Sequence, residues 1–231
     1  MKITPKIKII DLALYIPSCK TLVITDSHIG YEEALNKKGI LIPRFQFKDI
    51  IKRLQKIFKK ISPETIIING DIKHEFGTIS EQEWRHTLRL IDFLKRNCKD
   101  LVLIKGNHDT VLGPIARKRN VKIVDNMIVD SILITHGHNI PEIPKKIKTI
   151  IIGHEHPAVS FKQRPGDKFK CFLKGRYKRK TLIVQPSFNL VVEGTDVTRE
   201  KLLSPFLKDI SNFELFIVGD KVYDFGKIKN I

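Results

Sequence analysis

Five short stretches rich in histidine and aspartate each follow a run of apolar, mostly β-branched residues. No other feature of the chain constrains its fold as strongly. The stretches are Asp26-Ser27-His28, Gly70-Asp71-Ile72-Lys73-His74, Gly106-Asn107-His108-Asp109, His136-Gly137-His138 and Gly153-His154-Glu155-His156. The apolar runs before them, residues 21–25, 65–69, 101–105, 131–135 and 148–152, read as buried strands. Ionisable side chains have no use in a core, so they belong just past the strand ends, where open α/β sheets bind their ligands. Five such ends in one chain predict one shared site. Of eight histidines, His86 alone lies outside these stretches. It falls on a helix face and reads as structural.

The rest of the chain supplies the scaffold. Apolar spacing predicts helices over 32–38, 47–61 and 83–97, the last opened by the capping box Ser80-Glu81-Gln82-Glu83. After Asp109 the pattern turns to short strands at 121–124 and 127–129. A run of antiparallel strands is predicted over 158–192, then a hairpin of 214–218 with 221–225 around Gly219-Asp220. Its 231 residues fit one domain, 1–231, with a β-rich part over 158–231. No apolar stretch approaches the ~20 residues of a membrane span. The opening Met1-Lys2-Ile3 has a leader-like look, but Asp11 interrupts it and no small-residue cleavage site follows, so a cytoplasmic protein without a membrane is expected. Cys19, Cys98 and Cys171 are far apart and none has C-x-x-C spacing, which argues against a disulfide framework or thiolate metal site. Net charge is +17, with 42 basic residues against 25 acidic. Heat adaptation enriches lysine but raises glutamate with it. The imbalance favours an anionic partner, with nucleic acid the usual candidate.

Histidine mixed with carboxylate is the ligand set of first-row transition metals. The inventory is large enough for two ions, and a carboxylate such as Asp71 could bridge them, so that a phosphate is held and a water activated between them. Asp-x-His, Gly-Asp-x-x-His, Gly-Asn-His-Asp, His-Gly-His and Gly-His-x-His, in this order over residues 20–160, resemble the calcineurin-like metallophosphoesterases. The Gly70–Gly77 stretch looks most like an archaeal branch of that superfamily. That branch is distantly similar to the nuclease subunit of the double-strand-break repair complex and to phosphoesterases encoded beside DNA ligase and helicase. The resemblance implies a four-layer α/β/β/α sandwich of two mixed sheets flanked by helices, with a dinuclear site at strand C-terminal ends. It implies that Asp26, His28 and His156 hold one metal, that Asp71 bridges, and that Asn107, His136 and His154 hold the other. Manganese is the first candidate, with iron, zinc, nickel and cobalt as alternatives. His108 would give a proton to the leaving oxygen, with Asp109 orienting its ring, as a hydroxide held between the metals attacks phosphorus in line.

Several assignments stay open at the level of sequence. His138 could replace His136 as ligand or hydrogen-bond behind it. His74 could meet the first metal, the phosphate or solvent. Residues 161–180 carry nine basic side chains, interleaved with Phe161, Phe169, Phe172 and Tyr177, against Asp167. Lys162, Arg164, Arg176, Lys178 and Arg179 could track phosphates beside stacking rings, or the segment could be a solvated strand pair with its rings in the core. The expected activity is metal-dependent hydrolysis of a phosphodiester, by a nuclease or nucleotide phosphodiesterase. The alternatives are a small-molecule phosphomonoesterase and a non-catalytic scaffold, the latter disfavoured because every ligand of the pattern is present.

Overall fold

The computed structural model describes residues 1–75, 77, 79–161 and 164–231, the side chains of Arg164 and Pro165 excepted. The first sheet runs in chain order: β1 (Lys2–Thr4), β2 (Ile7–Ile10), β3 (Ala13–Ile16), β4 (Thr21–Ile24), β5 (Thr65–Asn69), β6 (Asp100–Ile104) and β7 (Lys122–Val124). Strands β1 to β4 pair antiparallel and β4 to β7 parallel. Helices α1 (Tyr31–Lys37), α2 (Gln46–Phe58), α3 (Glu81–Lys95) and α4 (Leu112–Arg119) lie between these strands in sequence. The second sheet holds β8 (Asn126–Val129), β9 (Ile132–Thr135), β10 (Thr149–Ile152), β11 (Pro157–Phe161), β12 (Arg164–Tyr177), β13 (Lys180–Val184) and β14 (Thr195–Asp196) in the order β14-β11-β12-β13-β10-β9-β8. The hairpin of β15 (Glu214–Val218) and β16 (Val222–Lys227) adds on through β12. At its centre β9, β10 and β13 are parallel.

Alternation along each strand builds the layers. Leu22 and Ile24, Ile66 and Ile68, and Leu101 and Leu103 face the helices, against Ile50, Leu54 and Ile57 of α2 and Leu90, Ile91 and Leu94 of α3. The residues between them, Val23, Ile67 and Val102, face the other way and meet Ile134, Ile151, Ile183 and Phe172 of the second sheet. On that sheet Ile150, Ile152, Leu182 and Val184 point outward again, under Phe206, Leu207, Ile210 and Phe213. Two mixed sheets thus share an inner core and each carries an outer one.

Three details differ from the sequence expectation. The fourth layer is an irregular segment rather than helix, because Pro205 and the turns around Ser204 and Ser211 interrupt the apolar spacing between Leu203 and Phe213. A short helix, α4, follows Asp109 where no element was expected, ahead of the strands expected at 121–124 and 127–129, which form as β7 and β8. The antiparallel run stops at Val184, and residues 185–192 are irregular.

Candidate metal centre

The five ligand-bearing turns follow β4, β5, β6, β9 and β10 and meet at one edge of the sandwich. The first two are zipped together: Asp26 N donates to Gly70 O at 3.1 Å and His28 N to Asp71 O at 2.9 Å. Close approach is built into the glycines. A Cβ on Gly106 would lie 2.0 Å from Asp71 Oδ1, and one on Gly153 would lie 2.5 Å from Asp26 Oδ2. Five of the candidate ligands adopt left-handed backbone, with φ of 52° at Asp26, 41° at His28, 48° at Asp71, 63° at His154 and 49° at His156. That conformation is costly for residues with a Cβ, and such residues gather at functional sites.

Among the described residues three groups of donors come together, one of them His28, His74 and His108, and the other two are sets that take in the expected ligands. Asp26, His28 and His156 offer ligand atoms within 4.8 Å of one another, and so do Asp71, His136 and His154. In the first set His28 Nε2 and His156 Nε2 lie 3.2 Å apart. Asp26 Oδ2 accepts from Thr25 Oγ1 at 2.7 Å and His154 N at 3.0 Å. Its other oxygen, Oδ1, is wholly buried with no hydrogen-bond partner, 3.4 Å from His156 Nε2. In the second set His136 Nδ1 faces the carbonyl of Asn69 at 3.2 Å, so Nε2 is left as a ligand atom, 3.0 Å from Asn107 Oδ1. Asp71 Oδ2 stands between the sets, 3.3 Å from His136 Nε2 and 3.8 Å from His28 Nε2.

Electrostatics fit the same picture. Burial pushes His28 well below its usual pKa, helped by His156, and takes His154 down to about 4, helped by His136. Both are therefore neutral imidazoles, the form that binds metal. Burial also opposes charge on His136, but Asp26 and then Asp71 outweigh it and hold its pKa at about 9. Burial raises Asp26 and Asp71 as well, yet facing histidines, His156 first for Asp26 and His136 first for Asp71, keep both carboxyls ionised below the usual range. A buried carboxylate oxygen without a hydrogen-bond partner, the neutral imidazoles of His28 and His154 and the amide oxygen of Asn107 are the donor set of a divalent first-row cation. These residues fit two such ions.

The other predicted site residues fall as follows. His108 N donates to Asp71 Oδ1 at 2.9 Å, and its Nδ1 is 2.5 Å from the carbonyl of His74. Its ring is 5.0 Å from that of His28. Asp109 does not orient that ring. Its Oδ2 instead accepts from Asp71 N at 2.8 Å and Gly106 N at 2.9 Å, and its Oδ1 has no hydrogen-bond partner. The two backbone amides reach the carboxylate first because it is buried directly beneath both turns. Burial, followed by Asp71, raises its pKa to about 6. His74 stacks on His108 at 5.3 Å and reaches the His28–His108 pair. His138 lies 5.3 Å from the His136 ring and is outside both donor sets, so His136 is the residue gathered with Asp71. His86 stacks on Phe47 at 4.6 Å, away from the centre.

The basic segment falls elsewhere. Lys162 lies outside the described residues, as does the side chain of Arg164. Arg176 lies near the end of β12, paired with Thr181, and Lys178 and Arg179 form the β12–β13 turn. That turn stands beside Thr149 at the start of β10, whereas the ligands follow the end of β10. They are therefore at the opposite end of the sheet from the metal centre. Phe172 is fully buried, Phe161 packs on Phe169 at 5.8 Å and Tyr177 on Phe206 at 4.9 Å, so these rings belong to the core.

Sequence reasoning passed over several supporting residues. Lys73 is wholly buried, and its Nζ donates to the carbonyls of His108, at 2.6 Å, and of Glu75. Glu83 donates its own amide to Ser80 Oγ at 3.1 Å as a cap residue should. Its carboxylate, however, accepts from His74 N at 2.8 Å and Glu75 N at 2.9 Å instead of closing the box. Glu155, between two candidate ligands, accepts from Leu203 N and Ser204 N at 2.9 and 2.8 Å and ties the turn to the irregular outer layer. The charge of Glu155 inside Gly-His-x-His was the one available signal of such a tether.

Comparison with known proteins gives the same answer. A family model described as calcineurin-like phosphoesterase matches residues 19–219. No curated protein matches the chain by sequence. Among solved structures, the nuclease MPE of Pseudomonas putida is 23% identical over 93% of this chain and 92% of its own, with a TM-score of 0.66, a likeness of fold. YfcE, a phosphoesterase from E. coli, is 11% identical over 87% and 88% with a TM-score of 0.46, too distant to bear on the site. Because the family match takes in all five ligand-bearing turns, the chain belongs to the calcineurin-like phosphoesterase family.

Proposed function

We propose that the chain hydrolyses phosphodiesters, with nucleic acid or nucleotides as the substrate class, using two divalent cations, manganese before iron, zinc, nickel or cobalt. The observation that carries this reading is Asp71 Oδ2, a single carboxylate oxygen facing His28 Nε2 on one side and His136 Nε2 on the other. Asp26, His28 and His156 would hold one cation, and Asn107, His136 and His154 the other, with Asp71 shared. Cations bound there supply Lewis acidity toward the phosphate and bring the pKa of water into the neutral range. Asn107 contributes an oxygen without adding negative charge near an anionic substrate. His108, its Nδ1 facing the His74 carbonyl, would as the imidazolium give its Nε2 proton to the leaving oxygen and end as the neutral ring with Nδ1–H still on that carbonyl. Asp109 and Lys73 would position that loop through its backbone. The net charge of +17 supports a polyanionic substrate. The fold shared with MPE is one on which a nuclease exists. Three free cysteines fit a reducing compartment such as the cytoplasm.

The test is a panel of labelled DNA, labelled RNA, bis-p-nitrophenyl phosphate and p-nitrophenyl phosphate, each with manganese and with EDTA. Cleavage of diesters that EDTA and Asp71→Asn both abolish is expected. Activity confined to the monoester would favour a small-molecule phosphomonoesterase and reject the diester reading.

A further inference from the structure

Helices α2 and α3 leave a groove between them of about 660 Å³, lined by Lys52, Lys56, Lys59, Phe58, Phe93 and Asn97 among others. We propose that this groove is a second nucleic-acid contact, which tracks the phosphate backbone away from the metal centre without reading sequence. The three lysines recur at steps of four and three, so they share one helix face, and all three are exposed. Lysine-rich helix faces normally carry acids at the neighbouring turn. Here α2 offers only Asp49, 4.0 Å from Lys52, while Asp92 of α3 is committed to Arg119 with its Oδ2 at 3.0 Å from Nη2. Like charges four residues apart repel and weaken a helix. A face kept in this state is suited to an anion that relieves it. Among the described residues no carboxylate lines the groove. Its walls also carry the half-buried rings of Phe58 and Phe93, 5.9 Å apart, which pack on the helix-side core and leave part of their surface in the groove. Basic side chains beside aromatic rings are the composition of grooves that hold nucleic acid through backbone and base faces.

The groove lies at the C-terminal ends of α2 and α3, before the starts of β5 and β6, and α2 runs from there to the metal centre at its own first residue. Gln46 Nε2 donates to the carbonyls of Ser27 and His28 at 2.9 and 2.7 Å, so that helix end is fixed to the first ligand turn. From there Phe47 carries the Arg89 guanidinium over its ring at 5.1 Å, and the lysines follow. The 13 residues of α2 extend ~20 Å, or roughly six steps of duplex rise. A strand bound at the metals could therefore lie along this seam.

The ligand class rests on the reading of the substrate as nucleic acid, but the groove is separate from the catalytic residues, and binding can be read without turnover. Fluorescence anisotropy of a labelled 20-nucleotide strand and of the matching duplex in EDTA would compare the wild type with Lys52→Glu/Lys56→Glu/Lys59→Glu. The same three positions changed to Gln serve as the milder variant. A control carries Lys145→Glu/Lys146→Glu/Lys178→Glu, which changes net charge equally. The groove variant should bind at least ~10-fold more weakly, and its slope of log affinity against log salt should fall by about two to three. The glutamine variant should show the same slope change, and hydrolysis of bis-p-nitrophenyl phosphate should be unchanged in all. Equal loss in the control would mean net charge alone is at work and would overturn the proposal. So would wild-type affinity in both groove variants, or loss of binding to anionic phospholipid vesicles with oligonucleotide affinity intact. If the groove variants lose binding while only monoesters are hydrolysed, the catalytic reading fails and the groove stands. If the wild type cleaves oligonucleotides and the groove variants bind them normally, the groove fails and the catalytic reading stands.

Discussion

Replacing Gly106 by alanine tests the geometry of the centre with a single methyl group. The Cβ would sit 2.0 Å from Asp71 Oδ1 and 2.5 Å from Asp71 N, whereas ordinary contact begins near 3.4 Å. Gly106 does not need left-handed backbone, so the change acts through space alone. The Asp71 carboxylate would have to withdraw by about 1.4 Å, the difference between 3.4 and 2.0 Å. It cannot do so by rotating freely, since Asp71 N and Gly106 N share Asp109 Oδ2 at 2.8 and 2.9 Å and Asp71 Oδ1 holds His108 N at 2.9 Å. The turns must part instead. Misplacing a catalytic group by ~1 Å costs on the order of 10²-fold in rate, and overpacking costs ~1–3 kcal/mol of stability. For a chain of this size that is a fall of roughly 2–12 °C in Tm. The assay is kcat/KM for bis-p-nitrophenyl phosphate with manganese, with calorimetric metal stoichiometry and a thermal melt on the same sample. Gly113→Ala is the control, because its Cβ meets only the Arg117 guanidinium at 3.8 Å. It should leave rate and stoichiometry unchanged. A Gly106→Ala enzyme with wild-type rate and two bound metals would refute the close-packed arrangement of the two turns.

Three further outcomes follow from particular residues. His108→Ala should keep both metals by calorimetry yet lower kcat by ~10²–10⁴-fold, and an unchanged kcat would remove His108 from the proton-transfer step. With a pKa of about 9, His136 must lose a proton to accept a metal, so affinity should rise ~10-fold per pH unit up to about pH 9 and then level. Near pH 7.5 about one proton should be released, read by calorimetry in buffers of different ionisation enthalpy, and the absence of release would contradict that assignment. Thermal stability is the wrong readout there, because burial lowers Lys170 to about 7 and stability linked to that amine rises over the same interval. Ile67→Ala, fully buried between the sheets, should cost ~2–5 kcal/mol in urea unfolding, and a loss under ~1 kcal/mol would argue against a tight inter-sheet core.

The centre was legible because its chemistry conflicts with its surroundings. Asp26, Asp71, His136 and His154 follow strands with three consecutive apolar residues each, and only a strand end can accommodate them. Other parts were hidden for physical reasons. Gly113 and Pro114 stand in the first turn of α4, where they mask a helix too short to show a period. The hairpin of β1 and β2 offers seven strand residues with only Ile3, Ile7 and Ile9 buried, too few to establish an alternation. The basic turn at Lys178–Arg179 follows His156 closely in sequence, but β12 is 14 residues long and extends ~45 Å, which takes the turn to the far end of the sheet. Proximity in sequence was the wrong measure there. Glu155 escaped notice because it works on backbone amides 48 and 49 residues away, and Glu83 because its place in a capping box already accounted for its carboxylate.

Anomalous diffraction from crystals soaked in manganese tests the shared-oxygen arrangement most directly. Two peaks about 3.5–4 Å apart, one beside Asp26, His28 and His156 and one beside Asn107, His136 and His154, with Asp71 Oδ2 touching both, are the predicted result. A single peak, or two peaks of which either lies beyond reach of Asp71, would contradict it.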